Sequence, residues 1–125
     1  MRKEDTNMPI VNVTWTNKQD QNVKNDFYDF TADLINRETG TDPNLIYVFI
    51  REIEKENARK RGTVVFVDWT VQPARTIAAR AVIMKEMSKK IASVTGEDPD
   101  EIVIIFRDIP LHSASVGGLT REERL

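Results

Sequence analysis

Thr39-Gly-Thr-Asp-Pro-Asn-Leu-Ile-Tyr-Val-Phe-Ile-Arg-Glu-Ile53 lies over Thr95-Gly-Glu-Asp-Pro-Asp-Glu-Ile-Val-Ile-Ile-Phe-Arg-Asp-Ile109. The offset is 56 residues, and Thr, Gly, Asp, Pro, Ile, Arg and the closing Ile coincide. Upstream, Ile10-Val-Asn-Val-Thr-Trp-Thr16 lies over Val64-Val-Phe-Val-Asp-Trp-Thr70 at an offset of 54, so the second half carries two extra residues between Trp69 and Gly96. Two matches in the same order mark a duplicated unit, and a repeat sets the architecture before any local signal is weighed.

Each unit reads as strand, helix, strand. Pro9 to Trp15 and Thr63 to Trp69 are β-branched and aromatic runs of the kind strands prefer. Between strands, Val23, Phe27, Phe30 and Leu34 predict one stripe of an amphipathic helix, and Ile77, Ala81, Met84, Ile91 and Val94 predict its counterpart. Pro73 suits a first helical turn, where its missing N–H costs nothing. Gly40 and Gly96 stand where each helix should end in a left-handed residue. Asp42-Pro43 and Asp98-Pro99 then turn the chain into the apolar strands Ile46–Arg51 and Ile102–Arg107. A strand, crossover helix and strand give a right-handed parallel pair. The expectation is α+β: two tandem β-α-β units forming a four-stranded sheet with two helices on one face. Residues 9–119 make one domain of two repeats, 9–57 and 63–119. Residues 1–8 are an extension or a start assigned too early, and 120–125 a tail. The basic run Lys55, Arg59, Lys60 and Arg61, broken by Glu56, reads as the linker between units.

The composition of the 125 residues narrows the function classes. With 40% hydrophobic residues the chain can build one core. Its 18 basic and 20 acidic side chains leave a net charge of −2, which gives no global attraction to nucleic acid. No cysteine means no disulfide, thiolate nucleophile or Cys-bound metal, and the single histidine, His112, leaves no His pair for zinc. No metal or cofactor is therefore expected. No apolar run approaches the roughly 18 residues that span a bilayer, and the polar start is no signal peptide. The reading is a soluble cytoplasmic protein with no membrane or nucleic-acid partner. Runs such as Ile102-Val-Ile-Ile-Phe106 are apolar on both faces of a strand, so the sheet face away from the helices needs a cover. Sister chains in a closed ring are the natural one.

Three motifs carry a resemblance. Met8-Pro9-Ile-Val-Asn-Val resembles the start of the tautomerase superfamily, a proline followed by a short strand. Glu52-Ile-Glu-Lys-Glu-Asn57 resembles the segment leading out of that family's second strand, and Ser115-Val-Gly-Gly-Leu119 its closing glycine hairpin. In tandem at this length, over Pro9 to Leu119, the chain is similar to the fused 4-oxalocrotonate tautomerase type. The resemblance implies a homotrimer of fused chains and a small-molecule carboxylate as substrate. It implies that Pro9, as a free amino terminus, is the general base that moves a proton α to a carbonyl in a 2-oxo or enol acid. A free α-amino group titrates near 7.7–8.0, so burial beside a cation makes it a base at neutral pH. Arg75, before the second helix, matches the family arginine that meets the substrate's charge. The first unit offers only Lys18 in the equivalent loop, and Tyr47 and Val103 replace the family arginine of the outgoing strand. Ala58 and Ala114 stand where many members carry an aromatic residue. Lys18, Tyr47 and the loop residue His112 complete the set as substrate-binding candidates beside the catalytic pair Pro9 and Arg75.

Pro9 is not residue 1, and behind Met8 its nitrogen is an amide without a basic lone pair. One reading starts the chain at Met8, whose removal frees Pro9. The other keeps the extension and makes this a non-catalytic binding or assembly subunit, and a dehalogenase, hydratase or decarboxylase chemistry of the superfamily is a third. Arg80 reads as a solvated or subunit contact. Glu52 and Asp108, which follow Arg51 and Arg107, read as ion-pair partners across an interface, and Trp15 and Trp69 as core or interface.

Overall fold

The computed structural model describes residues 8–70 and 76–123. Four strands, β1 (Ile10–Trp15), β2 (Tyr47–Glu52), β3 (Thr63–Trp69) and β4 (Val103–Asp108), form one sheet in the order β2-β1-β3-β4. β1 runs parallel to β2 and β3 parallel to β4, while the two units meet antiparallel through β1 and β3. Helices α1 (Gln21–Thr39) and α2 (Thr76–Thr95) are the two crossovers. A short hairpin, β5 (Ser115–Val116) and β6 (Leu119–Thr120), closes the chain. Its turn is Gly117-Gly118 with φ of 63° and 82°, the positive pair that a two-residue hairpin of this hand requires. Fold class and element order agree with the duplicated reading of the sequence.

Alternation within the strands decides where the core lies. Val11, Val13 and Trp15 on β1 and Val65, Val67 and Trp69 on β3 are buried under the helices, where Phe27, Leu34, Ile35, Ile83, Met87 and Ile91 meet them. Each such aliphatic side chain contributes about 1.5–3 kcal/mol on burial. The stripe expected on α1 is the one used, with Phe27 and Leu34 buried and Val23 and Phe30 partly so. On α2 the expected stripe holds in its later part, with Ile91 buried and Met84 and Val94 partly so, but fails at its start: Ala79, Ile83 and Met87 are buried, whereas Ile77 is 84% exposed and Ala81 lies outside. α2 is apolar around much of its circumference, so spacing alone does not choose its buried side. The sheet and α1 choose it, helped by Lys90, which bonds Asp26 at 2.7 Å and sits over the Phe30 ring.

The other sheet face carries three cross-strand rows: Tyr47, Ile10, Asp68, Arg107; then Phe49, Asn12, Phe66, Ile105; then Arg51, Thr14, Val64, Val103. Tyr47, Phe49, Val64, Val103 and Ile105 are exposed there in the single chain. Arg107 makes a two-bond pair with Asp68 at 2.7 and 2.8 Å and lies over Phe66. Arg51, its repeat counterpart, faces Thr14 where the second unit has Asp68, and so has no such pair. Among the described residues the core side chains run from Val11 to Ile102.

Candidate functional site

Because β1 and β3 are antiparallel, a pseudo-twofold axis relates the two units and sends their first residues to opposite ends of the sheet. Pro9 is buried at one end, directly ahead of β1, and its carbonyl accepts the Tyr47 N–H at 3.0 Å. Thr63 is its counterpart at the other end. The correspondence reaches single hydrogen bonds: Met8 N–H donates to Thr70 Oγ1 at 3.1 Å, and Gly62 N–H donates to Thr16 Oγ1 at 3.1 Å.

Each end also carries a tryptophan, a carboxylate and a cation. At the Thr63 end Trp15 Nε1–H donates to Glu52 Oε2 at 2.9 Å, and Lys24 bonds Glu52 Oε1 at 2.9 Å. At the Pro9 end Trp69 Nε1–H donates to Asp108 Oδ1 at 3.1 Å, and Arg80 pairs with the same carboxylate. Glu52, Asp108, Lys24 and Arg80 thus pair within the chain, which corrects the interface and solvated readings of Glu52, Asp108 and Arg80. The sequence did hold the signal, since Lys24 and Arg80 are 56 residues apart, like Glu52 and Asp108. Burial alone would raise the Glu52 carboxyl, but the Trp15 indole, Lys24 and the Gln19 amide outweigh it and hold it below the usual range. Asp108 is held low chiefly by Arg80, against burial and with help from Trp69. The Arg80 guanidinium covers the Trp69 ring at 5.4 Å and the Phe106 ring at 5.8 Å, an arrangement that stabilises a cation without a second carboxylate.

The candidate residues separate along this axis. Tyr47 is half exposed on the open sheet face, beside Ile10 and so at the Pro9 end. His112 is exposed in a turn after β4, also at that end. Lys18 follows β1 at the opposite end, roughly 20 Å from Pro9 along a six-residue strand. There it pairs with Glu54, which raises its pKa. Within one chain Lys18 and Pro9 do not share a site. Arg75 and Pro73 lie outside the described residues.

The Thr63 end also holds a 250 Å³ cleft lined by Asn17, Arg61, Gly62, Glu97 and Glu101. A neighbouring 360 Å³ cleft is lined by Lys18, Glu54 and Lys55. Both mix the two signs of charge. Among the described residues no cluster of three His, Asp or Glu could hold a metal ion, and no helix is long and apolar enough to cross a membrane. One buried residue left no trace in the sequence: Arg121, 1% exposed, beyond the strand pair of the hairpin.

No protein-family model matches the chain, and no curated protein matches it. Solved structures do. A wild-type fused 4-OT in a symmetric trimer superposes with a TM-score of 0.81 over 92% of this chain and 98% of that one, at 16% identity. Pt0534 inactivated by 2-oxo-3-pentynoate gives 0.82 over 92% and 98%, at 17% identity. Malonate semialdehyde decarboxylase gives 0.72 over 92% and 95%, at 10% identity. Two fused β-α-β units joined by a central antiparallel pair thus give this chain the fold of the solved fused 4-OT structures.

Proposed function

We propose that this chain, when it begins at Pro9, moves a proton α to the carbonyl of a small 2-oxo or enol carboxylic acid. The observation that carries the reading is Pro9 itself, a buried proline directly ahead of a central strand. The single bond to Met8 decides whether its nitrogen is an amide or an amine. As an amine it takes the α-proton and returns it at another carbon of the dienolate, so no atom is gained or lost by the substrate. Negative charge gathers on the carbonyl oxygen between the two transfers and calls for a cationic or hydroxyl donor. The resemblance gives that role to Arg75, which precedes α2 in the sequence. The Tyr47 phenol and His112 stand at the same end of the sheet for the substrate's carboxylate and mouth.

The hydrogen bond from Met8 N–H to Thr70 favours a second reading for the longer chain. There residue 8 is docked as Gly62 is docked at the other end, and the protein is a binding or assembly subunit. Assaying both lengths on a 2-hydroxydienoate and on a haloacrylate separates the readings. The chain begun at Met8 and processed to Pro9 should exceed the full chain by about 10²–10⁴ on the enol probe, the usual contribution of a placed base. Equal rates in the two would remove Pro9 as the base, activity on the haloacrylate alone would make this a dehalogenase or hydratase, and silence on both would leave the subunit reading.

The same proposal includes a cytoplasmic homotrimer closed over the open sheet face. The wet apolar rows support it, as does the trimeric state of the fused 4-OT of similar fold. Light scattering at micromolar concentration should give three times 14.4 kDa; a monomer there would overturn it.

A further inference from the structure

The cleft at the Thr63 end holds charges that its own walls leave unmatched. It measures 250 Å³ and meets the neighbouring 360 Å³ cleft at Thr16, Asn17 and Lys55, which line both. Drug-sized ligands occupy about 300–1,000 Å³, so a smaller molecule suits this space. Arg61 and Lys55 bring cations to it, and Glu97, Asp98 and Glu101 bring carboxylates. Glu101 is joined to Lys60 at 2.9 Å. The side chains of Arg61 and Lys55 join no ion pair among the described residues, so neither is bonded to Glu97 or Asp98 across the cleft.

Glu97 is the best fixed of these acids. Thr63, 1% exposed, bonds both carboxylate oxygens through its hydroxyl at 2.8 and 2.9 Å, and Glu97 N–H donates to Thr95 Oγ1 at 3.2 Å. The carboxylate is therefore held in place and cannot swing over to Arg61. One hydroxyl hydrogen fills a small part of the roughly four lone-pair sites of a carboxylate and neutralises none of its charge. The lining was not simply copied with the fold. At the offset of 56 the counterparts of Lys55, Glu97 and Glu101 are Leu111, Thr41 and Leu45, all uncharged.

Solvated charges scattered on a surface need no partner. What sets these apart is that opposite signs face one concave space and stay unjoined. We propose that this cleft binds a small zwitterion of the α-amino acid class. Its carboxylate lies against Arg61, whose planar fork matches carboxylate geometry, with Lys55 beside it. Its ammonium lies against Glu97 and Asp98, where Asp98 Oδ1 accepts the Asp100 N–H and leaves the other oxygen for the ligand. An anion alone would meet the acids, and a cation alone would meet Arg61 and Lys55, so the mixed lining favours a molecule that carries both charges. The site is independent of Pro9, which lies at the opposite end of the sheet.

Matched probes test the class in the full chain: L-alanine carries both charges, propionate only the carboxylate and ethylamine only the ammonium. Each is titrated at constant ionic strength while ¹H–¹⁵N spectra follow the Gly62 amide, which lines the cleft, and the Trp69 indole N–H at the Pro9 end. Alanine should move the Gly62 signal to saturation in the millimolar range and leave the Trp69 signal in place. It should bind at least about tenfold tighter than either single-charge probe, the scale of one charged hydrogen bond. Arg61→Gln removes one charge, and Glu97→Gln removes the other while keeping an acceptor for Thr63. Each should weaken alanine by a similar factor, whereas Arg37→Gln, in the last turn of α1, should leave its affinity unchanged. The proposal is overturned by a Gly62 signal that alanine does not saturate, by a Trp69 shift that matches it, by propionate or ethylamine binding as tightly as alanine, or by full affinity in Arg61→Gln or Glu97→Gln.

Discussion

The two ends of the sheet began as the same structure and now differ in a few side chains. At the Thr63 end the carboxylate is Glu52, 18% exposed in its side chain, and Lys24 is its partner. At the Pro9 end it is Asp108, 59% exposed, with Arg80 lying across two aromatic rings. The shorter acid leaves its charge nearer water, and the broad guanidinium fills the gap by stacking. The difference teaches how a duplicated fold keeps a joint while changing its chemistry: the indole, the acid and the cation persist, while the second unit adds ring contacts to an ion pair whose acid is more exposed.

Removing the tryptophans tests this most severely. Trp15→Ala and Trp69→Ala should each cost about 3–5 kcal/mol in denaturant unfolding. The second should cost more, since it also strips Arg80 of its ring. A much larger loss at Trp15 would break the comparison. Truncating the acids should show the opposite order at smaller size. Glu52→Ala leaves the Trp15 indole and Lys24 without a partner in a shielded place and should cost about 1–3 kcal/mol. Asp108→Ala should cost less, because water reaches Arg80's partner position. Both carboxyls titrate below their ordinary range in the folded chain. Their contribution is therefore present above the unfolded pKa of about 4 and is lost as the pH falls through the lower folded value. Urea midpoints between pH 6 and pH 3 should fall in the parent, and the fall should shrink in Glu52→Gln. An unchanged slope in that variant would show that the lowered carboxyl adds nothing.

How much of this was legible beforehand depends on whether two copies could be laid side by side. The offsets of 54 and 56 were enough for the two β-α-β units, the turn at Asp42-Pro43 and the equivalence of the tryptophans, but not for the order of the strands. They also held the Lys24 and Arg80 pairing, which goes unnoticed when each charge is read singly as solvated. On α2 the expected Ile91 and Val94 do pack, but the buried side of its first turns was beyond the sequence, because Ile77, Ala81 and Val82 are as apolar as the residues that pack. Of the candidate site residues, Pro9, Tyr47 and His112 fall at one end of the sheet, whereas Lys18 lies at the other. Spacing along the chain cannot show that equivalent loops of antiparallel repeats point in opposite directions.

The open sheet face sets a condition on the life of the chain. A single molecule carries Tyr47, Phe49, Val64, Val103 and Ile105 uncovered on one surface, flanked by the free edges of β2 and β4. In the trimer proposed above, covering that surface is an encounter between chains, so its rate would scale with how many finished chains are nearby, whereas clumping with any other sticky chain competes from the moment of synthesis. Recovery of native protein from dilution out of urea should therefore pass through an optimum in concentration, too sparse for partners on one side and too crowded for selectivity on the other.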